Sequence, residues 1–153
     1  MNFNALIVVA DAARARLFRV VETDAPRAPI ALREIESLVH PEARVKEGER
    51  HSGSFPGSGA QGHTPDAHRG AHETEERRRF SKTLARAVAG SVKEHSSKSV
   101  IVLATHSLHA VLAGELEREL PKGVDVRSQV GELTELTPSE ILEELQLRGL
   151  VQP

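Results

Sequence analysis

Four groups of side chains in this 153-residue chain have types and spacings that could do chemistry. The first is Asp11, which closes the apolar run Ala5-Leu6-Ile7-Val8-Val9-Ala10. A carboxylate at a strand end can help hold divalent cations for phosphodiester hydrolysis, but that chemistry needs several acids converging. The later strand end that would face it offers Thr105 and His106, and Glu73, Glu75 or Glu76 would supply only one partner. The plainer reading is a turn: the Asp carboxylate bonds backbone N–H groups two residues on, through Ala12-Ala13. The second group is His68 and His72. They are four apart, so a helix would place them on one face, with Glu75 or Glu76 a further turn on. Two imidazoles and a carboxylate suit zinc or another divalent metal. Gly70 lies between them, and solvated loop histidines are the plainer reading. The third group is basic: Arg69, Arg77, Arg78, Arg79, Lys82 and Arg86. Arg79, Lys82 and Arg86 share one helical side and could contact the phosphates of RNA or another polyanion. Glu73, Glu75 and Glu76 stand close enough to pair with them, which makes a self-neutralised, solvated face the plainer reading. The fourth is Gln61, inside Gly57-Ser58-Gly59-Ala60-Gln61-Gly62, a run that lacks the lysine of a phosphate loop. An amide does not titrate, so a hydrolytic role there would be to position water.

Composition narrows the classes. There is no Cys, Trp or Tyr, and only four Phe. The core must therefore be aliphatic, disulfides and thiolate metal sites are excluded, and a stacking platform for bases is short of aromatics. A net charge of −2 and a pI near 6.4 give no global basic field to draw in nucleic acid. The first twenty residues lack a signal-type apolar core, since Asp11, Arg14 and Arg16 interrupt it at once. No segment approaches a membrane span. These features point to the cytoplasm.

The elements that must position these groups follow from periodicity. The run at 5–10 has no polar face, as expected of a strand covered on both sides. Residues 14–22 read as a second strand whose apolar positions do not alternate cleanly, and 30–38 as a third, although Glu34 and Glu36 also suit a helix. Short links make these an antiparallel meander. Residues 39–72 carry six glycines, three prolines and five histidines, and read as one long Gly/His-rich loop. From 73 to about 95, Phe80, Leu84, Ala87, Val88, Ser91, Val92 and His95 recur at helical spacing. Val100-Ile101-Val102-Leu103-Ala104 reads as a buried parallel strand. Thr105 or Ser107 would cap a helix carrying Leu108, Val111, Leu112, Leu116 and Leu120. A short strand follows at 126–130. Thr137-Pro138-Ser139-Glu140 starts a last helix that carries Ile141, Leu142, Leu145 and Leu147 and frays at Gly149. Right-handed crossovers then set the sheet order at 3-2-1-4-5. The expected fold is α/β, a single ribonuclease-H-like domain over 1–153 with three layers and the element order β-β-β-α-β-α-β-α.

Several pieces resemble the bacterial family described as required for attachment to host cells. They are residues 8–18, from Val8-Val9-Ala10-Asp11 to Leu17-Phe18; Leu38-Val39-His40-Pro41-Glu42-Ala43-Arg44; the Gly/His-rich segment; the acidic-then-basic helix entry ending in Arg79-Phe80; and Leu133-Thr134-Glu135-Leu136-Thr137-Pro138. That family is in turn distantly similar to the middle domain of archaeal and eukaryotic peptide-chain release factors, whose Gly-Gly-Gln loop enters the ribosomal peptidyl-transfer centre. Gly59-Ala60-Gln61 stands in the corresponding loop, with Ala60 in place of a glycine. The resemblance implies a non-enzymatic binding or adaptor domain with an unidentified protein or RNA partner. The alternatives are a translation-associated RNA-binding or ribosome-binding protein, and a metal-dependent hydrolase using the loop histidines. No cofactor is expected beyond a divalent metal in that last case. An exposed third strand would be an edge able to pair with a second copy, which makes a homodimer an expectation too.

Overall fold

The computed structural model describes residues 4–40 and 63–152, and of 63–71 the backbone alone. Five strands form one sheet in the order β3-β2-β1-β4-β5. They are β1 (Ala5–Ala10), β2 (Arg14–Glu22), β3 (Ile30–Val39), β4 (Ser99–Ala104) and β5 (Asp125–Val130). Three helices follow the expected order: α1 (His63–His95), α2 (His106–Glu119) and α3 (Pro138–Leu147). β1 pairs antiparallel with β2 and parallel with β4, and β5 adds parallel to β4.

Every residue of β1 is buried, because its two faces meet different helices. Leu6, Val8 and Ala10 pack with Phe80, Leu84 and Val88 of α1 and Leu108, Leu112 and Leu116 of α2. Ala5, Ile7 and Val9 pack with Ile141 and Leu145 of α3. Each fully buried Leu, Ile or Val contributes about 1.5–3 kcal/mol. The irregular pattern of β2 has the same origin. Its Ala15 and Leu17 lie under α1 and α2, and its Phe18 and Val20 under α3, so each helix layer covers a different half of the strand.

Three details differ from the sequence reading. α1 begins at His63 rather than near Glu73, so the segment expected as loop over 39–72 loses its last ten residues to helix, while β3 takes Val39. Pro65 is tolerated because it falls in the first turn, where its missing N–H has no intrahelical partner. Leu147 is 77% exposed and does not join the α3 stripe. Leu150 and Val151 fill that place instead, because the helix does not fray but closes in a Schellman turn. Gly149 takes φ +71°, its N–H donates to the Gln146 carbonyl (3.0 Å), and the Leu150 N–H donates to the Leu145 carbonyl (2.9 Å).

The start of α3 is a complete capping box. The Thr137 hydroxyl accepts from Glu140 N (3.2 Å), Glu140 Oε1 accepts from Thr137 N (2.9 Å), and Pro138 opens the helix. The Thr137 backbone N–H, and then its hydroxyl, hold the Glu140 carboxyl below its ordinary value of 4.5. A lowered folded-state pKa stabilises above the unfolded value and loses that contribution as pH falls through the folded one. The stability difference between the wild type and Glu140→Gln should therefore be present at neutral pH and shrink below about pH 4, read by denaturant titration across pH. At the other end of α3, an added Cβ at Gly149 meets no atom, so Gly149→Ala isolates the backbone cost. It should destabilise by about 1–2 kcal/mol, measured by the shift in denaturant midpoint.

Candidate functional site

The strands β1, β3, β4 and β5 all run the same way, so their carboxyl ends share one edge with the start of β2. In open α/β sheets this edge is where connecting loops gather and ligands bind. Here the loop after β1 is a tight turn built on Asp11. Its Oδ1 accepts from Ala13 N (2.7 Å) and Arg14 N (2.8 Å), and its backbone N–H donates to the Arg14 carbonyl (2.9 Å). Its Oδ2 accepts the hydroxyl of Thr134, a buried residue 123 positions away.

Thr134 belongs to the link between β5 and α3, which passes over the ends of β4 and β1 to reach β2. Two arginines of β2 fasten it there. Arg14 Nη2 donates to the Thr134 carbonyl, and Arg16 Nη1 to the carbonyls of Thr134 (3.0 Å) and Leu136 (2.7 Å). Residues 14 and 16 share a strand face by the two-residue period. Arg16 also grips Glu34 Oε1 of β3 through Nε (3.0 Å) and Nη2 (2.7 Å), and its guanidinium lies 5.0 Å from the Phe18 ring centre. One side chain thus links three elements.

His40 closes the other flank. Its backbone N–H donates to the Ala13 carbonyl (2.7 Å), and its Nδ1 lies 2.9 Å from the Ala12 carbonyl. A carbonyl only accepts, so Nδ1 carries the proton. The imidazole stacks on Phe80 of α1, centroids 4.9 Å apart and planes within 6°. One turn before Phe80, on the same helix face, Glu76 is also buried, with Oε1 2.9 Å from His72 Nε2. α1 is about 50 Å long, whereas a six-residue strand covers about 20 Å. Its core residues run from Phe80 to Val92, so its N-terminal half continues past the carboxyl edge of the sheet.

The structure distributes the sequence-predicted residues as follows. Asp11 sits in the turn with both oxygens taken. Gln61 lies outside the described residues, and so do the side chains of His68 and Arg69. His72 pairs with Glu76, while Glu75 turns to Arg78 (2.8 Å) and Arg79 (3.5 Å). The Arg78 hydrogen bond holds the Glu75 carboxyl below its ordinary value. Among the described residues, no three His, Cys, Asp or Glu side chains converge to hold a metal. Arg86 lies 3.8 Å from Glu119 of α2, and Glu115 of α2 pairs with Arg118 (3.5 Å). Arg77 and Lys82 form no ion pair among the described residues. Sequence reading by chemistry alone missed Arg14, Arg16, His40 and Thr134. Their signal was the Arg-x-Arg spacing on a strand face and their place in the family-like pieces.

This is an α/β domain of ribonuclease-H-like strand order whose polar groups are gathered at one sheet edge. A family model described as "Protein required for attachment to host cells" matches residues 6–145, and the chain belongs to that family. No curated protein matches it. Among the described residues, no helix is long and apolar enough to cross a membrane.

Asp11 serves three donors at once. Asp11→Ala should therefore destabilise by about 1–3 kcal/mol, the cost of unpairing the buried Thr134 hydroxyl and two half-buried backbone donors. Lys82→Ala, at an exposed position of α1, should stay within about 0.5 kcal/mol. Equilibrium denaturation compares them.

Proposed function

We propose that this chain is a non-enzymatic binding or adaptor domain that acts in the cytoplasm. Its working surface is the carboxyl edge of the sheet together with the N-terminal half of α1 that stands beyond it. One observation carries this reading: the family-like pieces around Asp11, His40, Phe80 and Thr134 meet at this edge, and their polar groups are spent on one another. A general base or a metal ligand needs a lone pair free to face substrate. The Asp11 carboxylate instead accepts three internal donors, two on Oδ1 and one on Oδ2, and the Glu75 carboxylate is bridged by Arg78. Such groups make a stiff platform, and α1 adds exposed positions at His72, Thr74, Arg78 and Arg79 for a protein partner.

A second reading is a translation-associated RNA-binding protein similar to the release-factor middle domain. The charges of Arg77 and Lys82, which no acid neutralises among the described residues, favour it. The face formed by Arg79, Lys82 and Arg86 would then track a phosphate backbone.

Capture from cell lysate on the full-length chain tests both. The adaptor reading expects one protein retained in stoichiometric amount. That protein should survive nuclease treatment and be lost with the double variant Arg79→Glu/Lys82→Glu. The control Arg33→Glu, on the exposed edge strand β3, should keep it. Retention that disappears with nuclease, or co-sedimentation with ribosomes abolished by high salt, supports the RNA reading instead. No retained macromolecule at all overturns both.

A further inference from the structure

The two edges of the sheet are built differently. At β3 the ladder shifts register between Leu17 and Phe18, leaving Ile35 as an extra residue on the edge strand. Arg33 and Glu36 are exposed there, and Glu34 is held by Arg16. Bulges and charges are the devices that blunt a strand edge against a second chain. β5 lacks such a bulge and pairs with β4 in unbroken register. The Asp125 and Gly131 N–H groups bond toward β4, to the carbonyls of Lys98 (3.0 Å) and Ala104 (2.9 Å). The alternate residues Val126, Ser128 and Val130 therefore turn their peptide groups outward. Of these, the Val130 carbonyl is covered by Arg148 Nη1 at 2.9 Å. Val126 is 38% exposed, and Asp125 and Arg127, paired along the strand at 3.5 Å, have side chains 65% and 59% exposed, so that exposed pair can re-form across to a second copy.

We propose that two copies of this chain pair antiparallel through β5, about a two-fold axis at Val126, to make one continuous sheet. The homodimer expected at β3 moves to the opposite edge. The register follows from charge. A two-fold axis at Val126 sets Asp125 of each copy opposite Arg127 of the other, on one face and in the closely spaced class of antiparallel pair. Val126 meets its own copy, covering apolar surface. An axis at Arg127 would oppose like charges. An axis at Ser128 would need the Val130 carbonyl that Arg148 already holds. The strand is thus complementary to itself in one register, which is the requirement for an isologous interface.

The chain has no cysteine, so single cysteines report the register directly. In the proposed dimer the two Val126 Cα atoms lie about 5.5 Å apart, within disulfide range. Val126→Cys should form a disulfide-linked dimer on mild oxidation, whereas Ser128→Cys, offset along the paired strands, should not. Sedimentation velocity on the full-length wild type should show a concentration-dependent dimer. Arg127→Asp should weaken it by about tenfold, and the swapped double variant Asp125→Arg/Arg127→Asp should restore it. Circular dichroism confirms that each variant is folded. A wild type that stays monomeric across the accessible concentration range overturns the proposal. So does a dimer indifferent to Arg127→Asp, or one linked by Ser128→Cys in preference to Val126→Cys.

Discussion

The rest of this molecule depends on the burial of a strand with no polar face. None of the six residues of β1 exceeds 3% exposure. A strand of that kind is stable only when both faces are covered, since wetting either one would forfeit about 1.5–3 kcal/mol for each large side chain. Covering both faces requires helices in two layers. Helices α1 and α2 take one face and α3 the other. The parallel pairing of β1 with β4 then forces a long crossover, which α1 supplies.

Sealing the faces displaces the polar chemistry to the ends of the strands. At the carboxyl edge the backbone leaves the ladder, and its donors and carbonyls need new partners. Asp11 answers for the β1–β2 turn, His40 for the carbonyls of Ala12 and Ala13, and Arg14 and Arg16 for those of Thr134 and Leu136. The site is therefore structural and positional in the same atoms. The groups that hold the loops in place also shape the surface at this end of the sheet. Along α1, the charges of Arg78, Arg79 and Arg86 are likewise met locally, by Glu75 within the helix and by Glu119 across to α2, while Arg77 and Lys82 form no ion pair among the described residues.

The same logic separates the two sheet edges. β3 is guarded by a bulge and by charge, whereas β5 carries Asp125, Arg127 and Gln129 on one face and Val126, Ser128 and Val130 on the other. The difference lies in how each strand's register with its neighbour leaves its outward groups, not in composition alone.

Much of this architecture was legible along the chain. The apolar runs of β1 and β4, the helical spacing from Phe80 to Val92 and the Thr-Pro-Ser-Glu start of α3 are local patterns. A residue and its near neighbours carry them, and with right-handed crossovers they suffice for the strand order. Three features were decided by distant parts of the chain. Gly149 could mark fraying or a turn, and the choice fell to the buried strand residues Ile7, Phe18 and Leu103, whose cluster Leu150 and Val151 join. His40 looked like one more histidine of a solvated segment until Phe80, forty residues on, supplied a ring to stack against. Asp11 could have been a ligand or a turn residue. Thr134 reaches it only because the β5–α3 link crosses two strand ends. Period and capping report what a segment does with itself, whereas the state of a polar side chain depends on which remote donor the fold delivers to it.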